Sequence, residues 1–170
     1  EDAFRLLCVA RLVPRKNVHT LVEAFASISD DFPAWKLQLA GDGKEEDNLR
    51  RLAAKLRKST QVEFLGRVME PYPLYEGAHA FVLPSYVEGF PLTSLEAMTH
   101  GLPLVGFADC SGLNVQIEHG QNGLLVERAD QVASDDVFVS TCSKYADAVS
   151  LVPGNDVALV DVEVIIASVC

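Results

Sequence analysis

The amino-acid sequence predicts an α/β protein built on a doubly wound parallel sheet. Two observations carry the prediction. Short apolar runs and amphipathic stretches alternate about every 20–30 residues, the rhythm of right-handed crossovers between parallel strands covered on both faces. The chain has 170 residues, of which 49% are hydrophobic, enough for one sizeable core.

The elements follow in order. Arg5–Ala10 reads as a buried strand. Asn17 is a good N-cap, and Val18, Leu21, Val22, Phe25 and Ile28 fall behind it at helical spacing. Asp30-Asp31-Phe32-Pro33 ends that helix, since the residue before proline avoids the helical region. Trp35, Leu37 and Leu39 alternate with Lys36 and Gln38 as a second strand, and Gly41-Asp42-Gly43 turns the chain. Residues 45–58 form an amphipathic helix with Leu49, Leu52, Ala53 and Leu56 on one face. Val62–Leu65 is a third strand closed by Gly66, and Pro71 and Pro73 bound a loop before a short helix near 74–78. Ala80–Leu83 is the fourth strand, 92–100 a helix ended by Gly101 and Pro103, and Leu104–Phe107 the fifth strand. Residues 112–118 make a helix and Gly123–Val126 the sixth strand.

Composition excludes several classes. With 22% charged residues and this apolar content the chain is neither disordered nor fibrous. The net charge is −10 and the pI about 4.7, so nucleic acid is not an expected partner. The acidity is uneven. Residues 1–130 carry 13 basic and 18 acidic side chains, residues 131–170 one basic (Lys144) and six acidic, so each part is at −5. The first 100 residues are nearly balanced, at 12 against 14. Cys8, Cys110, Cys142 and Cys170 show no zinc or redox spacing, which suggests reduced thiols and a cytoplasmic location. The four histidines (His19, His79, His100, His119) form no metal spacing and read as surface or helix-end residues. No apolar run approaches the roughly 18–20 residues of a membrane span. The opening Glu1-Asp2-Ala3-Phe4 runs almost at once into a strand, as a piece of a longer chain would.

In a doubly wound sheet, ligands sit beyond the carboxyl ends of the strands. After strand one comes Arg11-Leu-Val-Pro-Arg-Lys16-Asn, two cations five apart before a helix start. They can clamp a diphosphate, Arg11 through bidentate hydrogen bonds and Lys16 as a point charge; the same residues also read as a solvated basic loop. After strand two, Gly41 and Gly43 either let backbone approach a ligand or simply turn the chain. After strand four, Glu88 lies in the loop and Glu96 eight residues on, inside the next helix. Pro91 suits the first helical position, leaving the N–H groups of Leu92 and Thr93 free for an anion. Thr93-x-x-Glu96 alternatively fits a capping box, and Glu88 a solvated carboxylate.

Pro84-Ser-x-x-Glu88-Gly-Phe-Pro-Leu-x-x-Leu-Glu96-Ala-Met98 resembles the signature of the retaining glycosyltransferases of the GT4 type, which have the GT-B fold. Val9-Ala-Arg11-Leu-Val-Pro-x-Lys16, Leu39-Ala-Gly-Asp-Gly43, Phe64-Leu-Gly66-Arg-Val68, Gly101-Leu-Pro-Leu-Val105 and Asn122-Gly-Leu-Leu-Val126 follow in the family's order, so the resemblance covers about residues 5–128. It implies the C-terminal, Rossmann-like half of such an enzyme. Arg11 and Lys16 would neutralise the donor diphosphate. Glu88 would approach the donor sugar near the scissile bond. The backbone of Gly89, Phe90, Pro91 and Leu92 would contact sugar and phosphates, with Thr93 and Gly41 also in the donor site. Glu96 would hold the ribose hydroxyls, and the turn at Gly66, Arg67 and Val68 would border the base. The implied donor is a nucleotide-diphosphate sugar, UDP-sugar first, with no metal or other cofactor. The implied acceptor is a glycan or lipid-linked molecule in cell-surface polysaccharide synthesis, with peripheral membrane association of the full enzyme.

Residues 1–130 are thus expected as a donor-binding domain that lacks its N-terminal acceptor-binding partner. Alone it should bind donor weakly and transfer nothing. Residues 131–170, with ten valines and an alternating Val160–Val164, depart from the family's closing helices and read as an atypical C-terminal segment. Val115 stands where the family often has a carboxylate. Two other readings remain at this point: an epimerase-type relative of the same fold, or a nucleotide-sugar-binding module without catalysis.

Overall fold

The computed structural model describes residues 3–127. The expectations for 131–170, with Cys142, Cys170 and the Val160–Val164 strand, lie outside the described residues.

Six strands form one all-parallel sheet: β1 (Phe4–Val9), β2 (Trp35–Ala40), β3 (Val62–Gly66), β4 (Ala80–Leu83), β5 (Leu104–Phe107) and β6 (Gly123–Val126). Their spatial order is β3-β2-β1-β4-β5-β6, a Rossmann-like arrangement whose strand order reverses between β1 and β4. Successive side chains of a strand point to opposite faces, and two cores result. Leu6, Cys8, Leu37, Leu39, Ala80 and Val82 pack on one face under α1 (Val18–Ile28) and α2 (Glu46–Lys55). Leu7, Phe81, Leu83, Leu104 and Phe107 pack on the other under α3 (Tyr72–Glu76), α4 (Leu92–Thr99) and α5 (Ser111–Asn114). The largest α1 contribution is Phe25, fully buried, and its burial is worth about 3 kcal/mol.

Four local expectations need correcting. A 3-10 turn, Pro14–Lys16, precedes α1 and leaves Asn17 in the left-handed region at φ 53°. Asn17 occupies the N-cap position, but its side chain makes no cap bond to the helix and instead accepts from the Thr20 hydroxyl at 2.8 Å. Helix α2 stops at Lys55 rather than 58, because Arg57 turns left-handed at φ 60°. The Lys58 and Arg57 N–H groups then close on the Ala53 and Ala54 carbonyls at 2.8 and 3.0 Å, a Schellman-type stop without glycine. Helix α3 starts at Tyr72, since proline is tolerated in a first helical turn. Helix α5 has four residues only: Val115 swings into solvent and Gln116 turns inward.

His79 is half-buried and partnered rather than openly exposed. Its Nδ1 accepts the Arg5 N–H at 3.2 Å, and its ring packs edge-on against Phe4 and Trp35. Burial, helped by Arg5, lowers its pKa.

Candidate active site

The loops at the carboxyl ends of β1, β2 and β3 are laced together by backbone hydrogen bonds. Ala10 N–H donates to Ala40 at 3.0 Å, Leu12 N–H to Asp42 at 2.8 Å, and Gly41 N–H to Gly66 at 2.7 Å. A Cβ on Gly41 would stand 1.9 Å from the Ala10 carbonyl oxygen, and one on Gly43 2.2 Å from that of Leu12. These glycines therefore serve close approach between two protein loops.

The loops after β1 and β4 meet where the strand order reverses. Tyr86 N–H donates to the Arg15 carbonyl at 3.1 Å. Beside this link Lys16 Nζ, on the 3-10 turn, donates to Glu88 Oε1. Both side chains are largely buried, at 12% and 8% exposure. Glu88 is thus no solvated loop carboxylate: it is held against a cation at the switch point. Behind them lies the Cys8 thiol on β1. Burial pushes it up to about 12, with Lys16 pulling it down and Glu88 pushing it up. Arg11, at the start of the same loop, is exposed.

The Glu88 segment is braced from α5. A Cβ on Gly112 would stand 2.1 Å from the Gly89 carbonyl oxygen and 2.5 Å from that of Glu88. The first turn of α4 is braced by a buried polar cluster. The Ser94 hydroxyl lies between two acceptors, the Pro91 carbonyl at 2.9 Å and Gln116 Oε1, and gives its single proton to one of them at a time, while Gln116 Nε2 donates to the Pro91 oxygen at 3.2 Å. Pro91 is the N-cap rather than the first helical residue, and no side chain caps α4. The capping box that the Thr93-x-x-Glu96 spacing alternatively fits does not form. Instead Glu96 Oε2 accepts the Tyr75 hydroxyl at 2.8 Å. Val87, Phe90 and Leu92 point outward around Gly89, beside which a Cβ would find open space.

Of the residues expected at the site, Lys16 and Glu88 are in direct contact, with Arg11 on the same loop as Lys16. Gly89, Phe90, Pro91, Leu92, Thr93 and Glu96 follow Glu88 along one loop and helix. Arg67 is exposed and Val68 half-buried beyond β3, two strands away from β1. Four contributors had no sequence signal: Tyr75, Ser94, Gln116 and Gly112 act through partners 21–25 residues distant or through backbone proximity. Among the described residues, no group of three His, Cys, Asp or Glu side chains could hold a metal ion. No helix among them is long and apolar enough to cross a membrane.

Relatives agree with this architecture. An uncharacterized glycosyltransferase of Haemophilus influenzae is 36% identical over 123 residues, covering 72% of this chain and 35% of that protein. The lipopolysaccharide core biosynthesis glycosyltransferase LpsE of Rhizobium meliloti is 36% identical over 129 residues, 76% of this chain and 36% of LpsE. The UDP-N-acetylglucosamine–peptide N-acetylglucosaminyltransferase GtfA subunit of Streptococcus pneumoniae is 31% identical over 141 residues, 83% of this chain and 28% of the subunit. The chain thus spans about a third of the length of these relatives. The crystal structure of the pneumococcal O-GlcNAc transferase GtfA in complex with UDP and GlcNAc superposes with a TM-score of 0.73 at 27% identity, over 99% of this chain and 32% of that one. The galactosyltransferase WaaB, at 24% identity and a TM-score of 0.70, shares the fold over 98% of this chain and 48% of its own. The family model for glycosyl transferases group 1 matches residues 1–138, and with the sheet order, the switch-point loops and these relatives in agreement, the chain belongs to that glycosyltransferase family, on the GT-B type of fold.

Proposed function

We propose that this chain is the donor-binding part of a retaining glycosyltransferase. It takes a nucleotide-diphosphate sugar, UDP-sugar first, and acts without a metal. The acceptor side would be supplied by sequence beyond these 170 residues, and the full enzyme would transfer a hexose-type sugar to a glycan or lipid-linked acceptor at the cytoplasmic face of a membrane.

The observation that carries the reading is the Lys16–Glu88 contact at the strand-order reversal, with Arg11 on the same loop. Breaking the sugar–phosphate bond leaves its electron pair on the diphosphate oxygen. Fixed cations at that oxygen lower the barrier because they need no reorganisation when charge develops. Lys16 and Arg11 would take the diphosphate, releasing Glu88 toward the sugar. The uncapped first turn of α4, with the Leu92 and Thr93 amides, would supply further donors. Glu96 would hold the ribose hydroxyls, and Arg67 and Val68 would border the base. Gly41 and the Gly89–Pro91 backbone would complete the donor site.

The test is a titration of the chain with UDP and UDP-sugars, read by calorimetry and thermal shift. Arg11→Ala and Lys16→Ala should each weaken the response about tenfold, the size of one charge-assisted hydrogen bond. A response unchanged by both substitutions overturns the clamp. Robust sugar transfer by the 170-residue chain alone would overturn the need for an acceptor half.

A further inference from the structure

We propose that Tyr75 is a positioning residue for the donor's ribose, acting through Glu96. The inference rests on the proposed role of Glu96 and goes beyond it by assigning a residue that holds the carboxylate in place.

Tyr75 sits on α3, outside every loop of the site. Its ring is fully buried, against Phe81 with centroids 5.9 Å apart and stacked on His100 at 5.4 Å and 27°. A ring packed this way has little freedom, so its hydroxyl points along one direction. In that direction lies Glu96 Oε2, at 2.8 Å. A neutral hydroxyl can donate here only while it keeps its proton. Burial, and then the Glu96 carboxylate itself, push the Tyr75 pKa well above the ordinary phenol value, so the donor is permanent.

The other end of the contact is equally constrained. Glu96 lies in the second turn of α4, and its main-chain carbonyl accepts the Thr99 hydroxyl at 2.7 Å and faces His100 Nδ1 at 2.8 Å. The residue as a whole is half-buried. One oxygen is occupied by Tyr75, which fixes the side-chain rotamer and leaves Oε1 available. A flexible glutamate would lose rotamer freedom on binding a sugar hydroxyl, at a cost set by the entropy of ordering it. The Tyr75 bond orders it beforehand, so a ribose meets a carboxylate already oriented.

The experiment is binding of UDP and 2′-deoxy-UDP to the wild-type chain and to Tyr75→Phe, with inorganic pyrophosphate as the probe lacking a ribose. Phenylalanine keeps the ring between Phe81 and His100, and the half-exposed Glu96 remains open to water, so the variant folds; a melt checks this. Wild type should prefer UDP over its 2′-deoxy form. Tyr75→Phe should reduce that preference by about three- to tenfold, the scale of one hydrogen bond, and leave pyrophosphate binding unchanged. Glu96→Ala should abolish the preference. A preference that survives Tyr75→Phe but is lost in Glu96→Ala overturns the positioning role alone. Equal loss of pyrophosphate binding in Tyr75→Phe makes Tyr75 merely structural and overturns it too. A preference that survives Glu96→Ala, or no preference in wild type, overturns the ribose reading of Glu96 and this proposal with it.

Discussion

Lys16 and Glu88, 72 residues apart in the chain, form a largely buried ion pair between the loops after β1 and β4. Removing one partner of such a pair strands the other charge without a counter-ion, and this costs more than losing both. Lys16→Met and Glu88→Gln should each lower the unfolding free energy by about 3 kcal/mol. The double variant should recover a substantial part of the combined loss. Arg11→Ala removes an exposed cation and should change stability by less than about 0.5 kcal/mol. Urea denaturation of the four variants gives the coupling, and additive single effects would contradict a working pair.

Gly112 and Gly89 make a second contrast. A methyl group at Gly112 would collide with backbone oxygens of Glu88 and Gly89, whereas one at Gly89 meets nothing within 4 Å. Backbone cannot rotate away as a side chain can. Gly112→Ala should therefore cost about 3 kcal/mol, the upper range for overpacking, and should displace the Glu88 segment. Gly89→Ala should leave stability within about 0.5 kcal/mol. Thermal melts of the two variants separate the cases.

What could be read from the sequence follows a physical division. Strands β4 and β5 are short, wholly buried apolar runs between Gly and Pro signals, so the pattern alone located them. Helix α5 misled because the polar and apolar alphabet is inverted there. Val115, apolar and at helical spacing, is 73% exposed. Gln116, polar, is buried because Ser94 and the Pro91 carbonyl satisfy it. At the site, topology brings the two loops carrying Lys16 and Glu88 to one place, so both were legible as candidates. The burial of Glu88 was not, since it depends on Gly112 fitting against its backbone. The Thr93–Glu96 spacing fits a capping box as well as a site carboxylate. Only the position of Tyr75, on another helix, decides where that side chain goes.

Arg57 offers a way to stabilise the fold. It occupies the left-handed position that ends α2, at φ 60°, where a Cβ costs roughly 1–2 kcal/mol relative to glycine. The Lys58 and Arg57 N–H bonds to Ala53 and Ala54 hold it there. Arg57 is exposed, so little packing is lost with its side chain. Arg57→Gly should raise the unfolding free energy by about 0.5–1 kcal/mol, the strain released less the entropy glycine adds to the unfolded chain. Chemical denaturation would show the gain as a higher midpoint at unchanged slope.

Acid should destabilise the fold in two separate windows. Burial, then Arg5, hold His79 below its ordinary value of 6.5, and partial desolvation of the more exposed His119 ring acts in the same direction. As pH falls through 6.5 the unfolded chain takes up these protons first, so stability present above that pH is lost below it. Glu63 behaves alike at lower pH for a different reason. Burial alone would raise its pKa, but hydrogen bonds from Lys36 and Gln38, with the Lys36 charge, outweigh burial and hold it below 4.5. Its contribution is present above 4.5 and is lost as pH falls through that value toward the folded-state pKa. Urea midpoints measured from pH 8 down to about pH 3.5, spanning both ordinary pKa values, should therefore show an upper and a lower decline. The combined His79→Gln and His119→Gln variant should flatten the upper one and leave the lower, whereas Lys36→Met should do the reverse. An upper decline that persists without both histidines would show that other groups control stability near neutral pH.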